Sequence, residues 1–152
     1  MSQFALRSQS IGRGHRTAVR IALGVLLAFG ALNAFGGGYY GMSGAEGVPK
    51  EWLEGTPFDD YFIPSLILFL VVGGSFLAAA IAVFADLRVA RAAALIAGAV
   101  VLAWLTVETA MIGYVSWMQP VTAIGALLVL ALAWLLRREV PRGKLAGGRR
   151  SS

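Results

Sequence analysis

Four long apolar runs dominate this sequence and restrict the folds that it can adopt. They cover residues 21–40, 61–85, 89–114 and 121–136. A membrane helix needs about 20 mostly apolar residues, and a bilayer accepts only helices or closed barrels, because it holds no water to bond the backbone. The chain is 58% hydrophobic and only 14% charged, which is too little charge to cover a soluble domain. We therefore predict an all-α fold, a four-helix transmembrane bundle.

The first apolar run has an alternative interpretation as a signal peptide that is removed. The basic residues before it fit that alternative, but Leu32 stands where a small residue is expected before Ala34. Paired tyrosines, Tyr39 and Tyr40, close the run and are typical of a helix that stops at the membrane interface. We expect a retained first helix.

The charged residues are sorted by membrane side. Of the 13 Lys and Arg residues, four lie in residues 1–20, two in the turn after the second run and six in residues 137–152. The first loop holds only one of them, Lys50, but it holds five of the eight acidic residues. Lys and Arg accumulate on the cytoplasmic side. We predict cytoplasmic termini and one acidic extracytoplasmic loop. The chain divides into a disordered basic cytoplasmic arm (1–20), a transmembrane domain (21–136) and a flexible basic cytoplasmic tail (137–152).

Composition also excludes several classes of protein. The net charge of +5 does not indicate nucleic-acid binding, because the basic residues are distributed by membrane side and form no single patch. Without cysteine there is no disulfide, thiolate metal site or thiol nucleophile. The single histidine, His15, lies in the basic arm, which argues against a histidine metal site or a catalytic triad. We expect no cofactor and no metal; the expected partners are the lipid bilayer and either another membrane protein or a second copy of this chain.

The loop over residues 41–60 carries local signals for helix ends. Pro49 is suited to open a short surface helix and Gly55 to end it in the left-handed conformation. Residues 56–59 (TPFD) are typical of a capping box with proline at the first helical position. Pro64 cannot donate to the helical hydrogen-bond ladder, so we expect a kink or a fresh helix start there.

Glu108 is the most informative residue, because it lies well inside the third apolar run. An ionisable side chain at hydrocarbon depth costs at least a few kcal/mol and by default marks a site with a partner or a function. On a helix that continues toward Trp117, Glu108 lies about 13 Å of helical rise below that residue. No Lys or Arg is expected at its depth, so we expect a protonated or partly protonated carboxyl. Trp104 lies one turn away on the same face.

Other polar residues are expected at a similar depth on their own helices. The candidate binding residues around Glu108 are Trp104, Asn33, Thr109, Ser65 and Gln119. One hypothesis is that they surround the carboxyl beneath the acidic loop. The alternative is a hydrogen-bonded structural glutamate that fixes the helix register. Asn33 has its own alternative role as a hydrogen bonder between helices.

Four acidic residues of the loop form a second candidate set. They are Glu51, Glu54, Asp59 and Asp60. Carboxylate oxygens suit a hard divalent cation, but the spacing matches no calcium loop. Acids before a helix also favour its dipole, and we prefer that interpretation.

Two stripes of small residues at four-residue spacing are typical of close helix packing. The first comprises Gly74, Ala78 and Ala82, and the second comprises Ala90, Ala94 and Gly98. The pattern fits packing within the chain and self-association equally well.

Several segments of the chain carry a resemblance to known membrane proteins. Residues 55–64 (GTPFDDYFIP), 71–74 (VVGG) and 112–120 (IGYVSWMQP) resemble a group of small, uncharacterised bacterial four-helix membrane proteins. That resemblance implies a four-helix bundle in the plasma membrane and no particular activity.

A second resemblance concerns Glu108 alone. A membrane glutamate near tryptophan is similar in idea to the small multidrug resistance transporters, which exchange protons for cationic drugs as dimers. In that family the glutamate lies on the first helix, so only the role of the carboxyl carries over, and only to Glu108.

Three functions are compatible with the sequence. The preferred hypothesis is a non-enzymatic accessory or interaction module that acts through its helix faces and outer loop. The second is a small proton-coupled transporter with Glu108 as the protonation site and Trp104 as an aromatic wall for a cation. The third, an enzyme or carrier acting on a lipid or quinone, is the least favoured, because no acid–base or nucleophile–base set occurs at helical spacing.

Overall fold

The structure is a computed structural model that describes the backbone of residues 2–136 and the side chains of residues 14–136. In chain order the elements are α1 (Ser2–Met42), a 3-10 helix (Lys50–Leu53), α2 (Phe62–Ile67), a π-helix (Leu68–Gly73), α3 (Gly74–Phe84), α4 (Ala90–Ile112) and α5 (Met118–Leu135). The stretch from α2 through α3 is continuous, and we call it the second span. The predicted tail, residues 137–152, lies outside the described residues.

Among the described residues, four helical stretches are long and apolar enough to cross a membrane. They are Gly14–Met42, Phe62–Phe84, Ala90–Ile112 and Met118–Leu135. The prediction of an all-α chain with four membrane-compatible helices is therefore confirmed. Each stretch packs against the next, and α5 returns to contact α1, which closes the bundle. Large side chains such as Leu23, Leu27 and Val129 are fully buried at its centre, where α4 contributes mainly alanine.

The first helix interlocks with the second span through glycine and phenylalanine. A β-carbon on Gly24 would lie 2.7 Å from the ring of Phe84, and one on Gly30 would overlap the ring of Phe76. Without a side chain at either glycine, each ring lies directly on the backbone of α1. This contact holds the two helices closer together than side chains on both would permit.

The same interlocking continues around the π-helix. A β-carbon on Gly38 would lie 2.7 Å from the β-carbon of Phe69 and 2.9 Å from the carbonyl oxygen of Ser65. In the opposite direction the ring of Phe35 lies against Gly73, 2.8 Å from a β-carbon built there. These contacts fix the level at which α1 and the second span meet.

Pro64 follows one of the two alternatives predicted for it. The second span starts at Phe62, so Pro64 lies in the first turn, where a missing N–H removes no helical hydrogen bond. A fresh helix start is therefore the correct alternative. The irregular part of the span is the π-helix at Leu68–Gly73. Each of its hydrogen bonds spans one more residue than in an α-helix. No feature of the sequence predicted it.

The turn between α3 and α4 holds one end of the bundle together. The amide of Leu87 donates to the carbonyl of Ala82 at 2.9 Å, and the amide of Asp86 donates to that of Val83 at 3.2 Å, the pattern of a Schellman motif. Asp86 occupies the left-handed position of that motif with φ of 51°. Its carboxylate forms an ion pair with Arg20 of α1 at 2.9 Å. The turn is thereby tied to the first helix.

The basic arm differs from its prediction. Its composition predicts disorder, whereas α1 begins at Ser2. Extending an existing helix needs no new nucleus, and this segment contains no proline. The arm is therefore a continuation of the first helix.

The capping box predicted at residues 56–59 is also wrong. The second span begins only at Phe62, whose amide donates to the carboxylate of Asp60 at 2.9 Å. The hydroxyl of Thr56 instead accepts the amide of Phe58 at 3.3 Å within the loop. Asp60, the residue before the N-cap Tyr61, thus satisfies the first helical amide, and Tyr61 itself provides no side-chain cap.

The small-residue stripes have different outcomes. The stripe of α4 is confirmed as a packing face, because its residues are buried and a β-carbon on Gly98 would lie 2.7 Å from the side chain of Leu130 on α5. The stripe of the second span is only partly a packing face, because Ala82 is buried but Ala78 is exposed, and Phe76 and Ala79 lie on the buried face in its place. The phenylalanine rings that enter α1 rotate the buried face away from the predicted stripe.

Candidate functional site

Glu108 continues the inward-facing stripe of α4. Ala94, Ala97 and Val101 of this helix are buried, and Trp104 and Glu108 follow at the same three- and four-residue spacing. Residues at this spacing lie on one face of a helix. Glu108 itself is half-buried. No residue of α4 beyond Val101 is fully covered by the rest of the bundle.

The carboxyl lies closer to the end of its helix than the sequence predicts. Gly113 adopts φ of 74° and ends α4 after Ile112, so the helix does not continue toward Trp117. Glu108 is four residues before Ile112, which corresponds to about 6 Å of helical rise. The carboxyl is therefore about one helical turn from the end of α4.

Trp104 is the nearest chemical partner of Glu108. Its indole lies one turn back along α4 on the same face, close enough to interact with the carboxyl. Trp104 is also partly buried against the hydrophobic core. An indole has a donor and no acceptor, so Trp104 can only donate to the carboxyl.

Two predicted neighbours of Glu108 are engaged elsewhere. Asn33 is exposed, and its side-chain amide donates to the carbonyl of Phe29 in its own helix at 2.8 Å. The predicted bond between helices is therefore replaced by one within α1. Ser65 is buried, but it lies directly against Gly41 at the contact between α1 and α2.

Gln119 holds the turn between α4 and α5. Its side-chain amide nitrogen donates to the carbonyl of Gly113 at 3.1 Å, and its amide oxygen accepts the N–H of Val115 at 3.2 Å. The residue is buried, so these bonds satisfy a polar group that is removed from solvent. Gln119 is a structural brace of the turn.

Thr109 lies beside a shallow, open groove between α4 and α5. The groove is lined by Leu102, Leu105, Thr106, Thr109, Ala110 and Ala123. The hydroxyl of Thr106 donates to the carbonyl of Leu102 at 2.8 Å. The side chain of Thr109 is exposed. Its hydroxyl forms no hydrogen bond to another side chain or to the backbone of a turn in the described part of the chain.

Thr106 is absent from the residues predicted around Glu108. A signal for it was nevertheless available, because its three-residue spacing from Thr109 places both hydroxyls on neighbouring positions of one helix face. The two threonines make this part of α4 more polar than the rest of the helix.

The loop acids do not gather around a common point. Glu51, Glu54, Asp59 and Asp60 are all exposed. Within residues 14–136, no three His, Cys, Asp or Glu side chains are arranged to hold a metal ion. Asp60 caps the start of α2 through the amide of Phe62, which agrees with the preferred interpretation of acids before a helix.

Two tyrosines attach this loop to the ends of the helices. The hydroxyl of Tyr40 donates to the carbonyl of Glu46, and the hydroxyl of Tyr61 donates to that of Pro49 at 2.6 Å. Burial raises the pKa of the Tyr61 phenol, and the nearby Glu51 carboxylate raises it further.

The predicted short helix forms between these two attachments. It covers Lys50–Leu53, with Pro49 before it and Gly55 at φ of 83° after it. The loop is thus a folded segment that is bonded to the helix ends at both sides.

Comparison with known proteins adds no family to this geometry. No protein-family model, no curated protein and no solved structure matches the chain. The site must therefore be interpreted from its own residues.

Proposed function

We propose that this protein is an accessory or interaction module of a membrane, which acts by binding another membrane protein through the outer half of α4. The observation that carries the proposal is the incomplete covering of residues 102–112, which are either half-buried or exposed and none of which is fully buried. Within that stretch the exposed Thr109 hydroxyl has no bond to a described side chain. A polar group without a partner is costly in hydrocarbon, and a partner helix would satisfy it.

The scattered positions of the other polar residues also favour an interaction role. A binding pocket for a small molecule is usually concave, with a few polar groups that converge on it. Here Asn33 bonds to its own helix, Gln119 braces a turn and Ser65 lies in a helix contact. Of the residues predicted around Glu108, only Trp104 interacts with it in the described structure. The site therefore resembles a helix surface more than a closed pocket.

Site-specific photocrosslinking in intact membranes tests the proposal. A photoreactive residue at Thr109 is expected to give a discrete crosslinked product. The matched control is Leu32 on α1, which is also exposed, with 71% of its surface accessible, and which lies on a different helix. Crosslinking at both positions alike, or at neither, would contradict an interaction through α4.

The orientation is proposed with both termini in the cytoplasm of a bacterial plasma membrane. It is supported by the arginines at one end of the bundle, including Arg20 and Arg88, and by the acids of the loop at the other. The natural absence of cysteine allows single cysteines to be labelled with a membrane-impermeant maleimide. Ser43→Cys is expected to react in intact cells and Leu87→Cys only after lysis; the reverse result would overturn the orientation.

Proton-coupled transport is a second candidate, favoured by the pairing of Trp104 with Glu108 near the end of α4. In this hypothesis the carboxyl exchanges a proton while the indole faces a cation. Glu108→Gln should then abolish proton-linked flux in proteoliposomes while leaving folding intact. Thr106→Val on the same helix is the control and should retain flux. Full flux in Glu108→Gln would exclude this mechanism.

A further inference from the structure

A second polar cluster lies at the opposite end of the bundle, where α4 begins. The guanidinium of Arg91 lies over the ring of Trp134 on α5, with its central carbon 5.2 Å from the ring centre, a cation–π contact. The Nε of Arg91 is buried and has no hydrogen-bond partner among the described residues. A buried charged donor without an acceptor is costly, and most such groups in proteins are satisfied.

The charges around Arg91 leave this end of the described structure positive. Arg16, Arg20 and Arg88 lie on the first helix or on the turn before α4. The one acid of that turn, Asp86, is already paired with Arg20 at 2.9 Å. No carboxylate forms an ion pair with Arg91 in the described residues, and Val89 at the N-cap provides no side-chain cap for α4. The positive end of the helix dipole adds to the same potential.

We propose that this cluster binds the phosphate of an anionic lipid headgroup, with Arg91 as the principal ligand and Trp134 as the surface that holds its guanidinium flat. Guanidinium groups bind phosphate oxygens through two parallel N–H donors. A guanidinium that already lies against a ring has less freedom to lose on binding than one surrounded by solvent. The position at the end of two membrane-compatible helices is where headgroups lie.

The headgroup fits better than a soluble anion because of the neighbouring surface. Trp134 is 61% exposed and Leu135 is 57% exposed. An aromatic ring at the end of a membrane helix is typical of the interface, where one side meets acyl chains and the other meets headgroups. The site therefore offers a cationic face for phosphate and an apolar face for the lipid chain. This inference does not depend on the proposed role of α4 in binding a partner.

Lipid selectivity of the purified full-length protein tests the inference. Spin-labelled phosphatidylglycerol and phosphatidylcholine are compared in proteoliposomes made from wild type, Arg91→Gln and Arg16→Gln. Wild type is expected to prefer phosphatidylglycerol, and Arg91→Gln to lose about tenfold in relative affinity, as expected for a charge-assisted hydrogen bond. Arg16→Gln removes the same charge from the same end and is expected to change it less than about twofold.

Three outcomes would overturn the proposal. The first is no preference for phosphatidylglycerol in wild type, a result that does not depend on the folding of any variant. The second is an equal loss in both variants, which would indicate only the general charge of this end. The third is thermal stabilisation by inorganic phosphate, dependent on Arg91, in a protein without lipid preference; the ligand would then be a soluble anion.

A conservative variant distinguishes binding that needs the planar guanidinium from binding that needs only a positive charge. Arg91→Lys keeps the positive charge but not the planar fork of donors. A loss of preference intermediate between wild type and Arg91→Gln supports binding through the planar guanidinium. Full retention of the preference in Arg91→Lys would show that the guanidinium plane is not used.

Discussion

Gly38 of α1 and Phe69 of the second span pack so closely that a β-carbon on the glycine would lie 2.7 Å from the β-carbon of the phenylalanine. The carbonyl oxygen of Ser65 lies 2.9 Å from the same point. Both obstacles belong to backbone or to the base of a side chain, so neither can move aside by changing a rotamer. The contact determines how closely the first two spans approach.

Replacement of this glycine should therefore separate the two helices. Gly38→Ala is expected to destabilise the fold by about 1–3 kcal/mol, the usual cost of overpacking. Gly36→Ala is the matched control, because a β-carbon there meets nothing within 4 Å, and alanine favours a helix by up to about 1 kcal/mol. Thermal unfolding in detergent, followed by circular dichroism, measures both. Equal melting temperatures for the two variants would contradict this packing.

The left-handed conformation of Asp86 predicts an unusual order of unfolding temperatures among its variants. Asp86→Ala loses the ion pair with Arg20 and places alanine at positive φ, so it should destabilise by about 1–2 kcal/mol. Asp86→Gly also loses the pair but relieves the backbone, and a partly exposed pair contributes only about 0.2–1 kcal/mol. Its unfolding temperature should therefore lie above that of Asp86→Ala. Because both variants lose the ion pair, the opposite order would show that the positive φ at this position imposes no backbone strain on alanine.

The stability of the turn between α4 and α5 should depend on the side-chain amide of Gln119. Gln119→Leu leaves the amide of Val115 and the carbonyl of Gly113 without their present partner, at a cost of about 1–3 kcal/mol. The turn over residues 113–117 should then be cut faster by a protease in detergent. Met118→Leu, a change at an exposed neighbour, serves as the control and should be cut at the wild-type rate. Faster cutting in the control alone would exclude the bracing role.

The raised pKa of Tyr61 predicts loss of stability in alkali. Its phenol is favoured in the neutral form by burial and, to a lesser degree, by Glu51. A group whose folded pKa exceeds its unfolded value of about 10 contributes full stability below that pH. The contribution is lost as pH rises through the folded pKa.

Phenolate absorbance, measured as the difference between wild type and Tyr61→Phe, follows this titration. Glu51→Gln should lower the midpoint because it removes the repulsion between carboxylate and phenolate. Glu46→Gln, in the same loop, should leave the midpoint unchanged. A midpoint that is identical in wild type and Glu51→Gln would exclude the electrostatic contribution.

The number and extent of the spans could be predicted because hydrophobic length is a local property. The start at Phe62 and the end at Ile112 each lie within two residues of the predicted limits. The predicted short helix after Pro49 also follows from local backbone preferences. The helical arm from Ser2 could not be predicted from its polar composition, because its helicity comes from continuation of α1.

The candidate site was harder to predict because it depends on which faces meet. Trp104 and Glu108 share a helix, so their pairing followed from spacing alone. Asn33 was wrongly expected between helices, since sequence does not show that its amide bonds to Phe29 one turn back. The glycines of α1 were overlooked as packing positions, because their phenylalanine partners lie about 30–60 residues away along the chain and no local pattern links them.

The interlocked glycines and phenylalanines have a consequence for chain continuity. Because these contacts hold α1 against the second span, the loop at residues 43–61 is not needed to keep the two together once they have met. Separate expression of residues 1–47 and 48–152 should therefore reconstitute a complex that copurifies through one tag, as expected when a break falls in an exposed loop. In such a split protein the Gly38→Ala fragment should recover less of its complement than the Gly36→Ala fragment does.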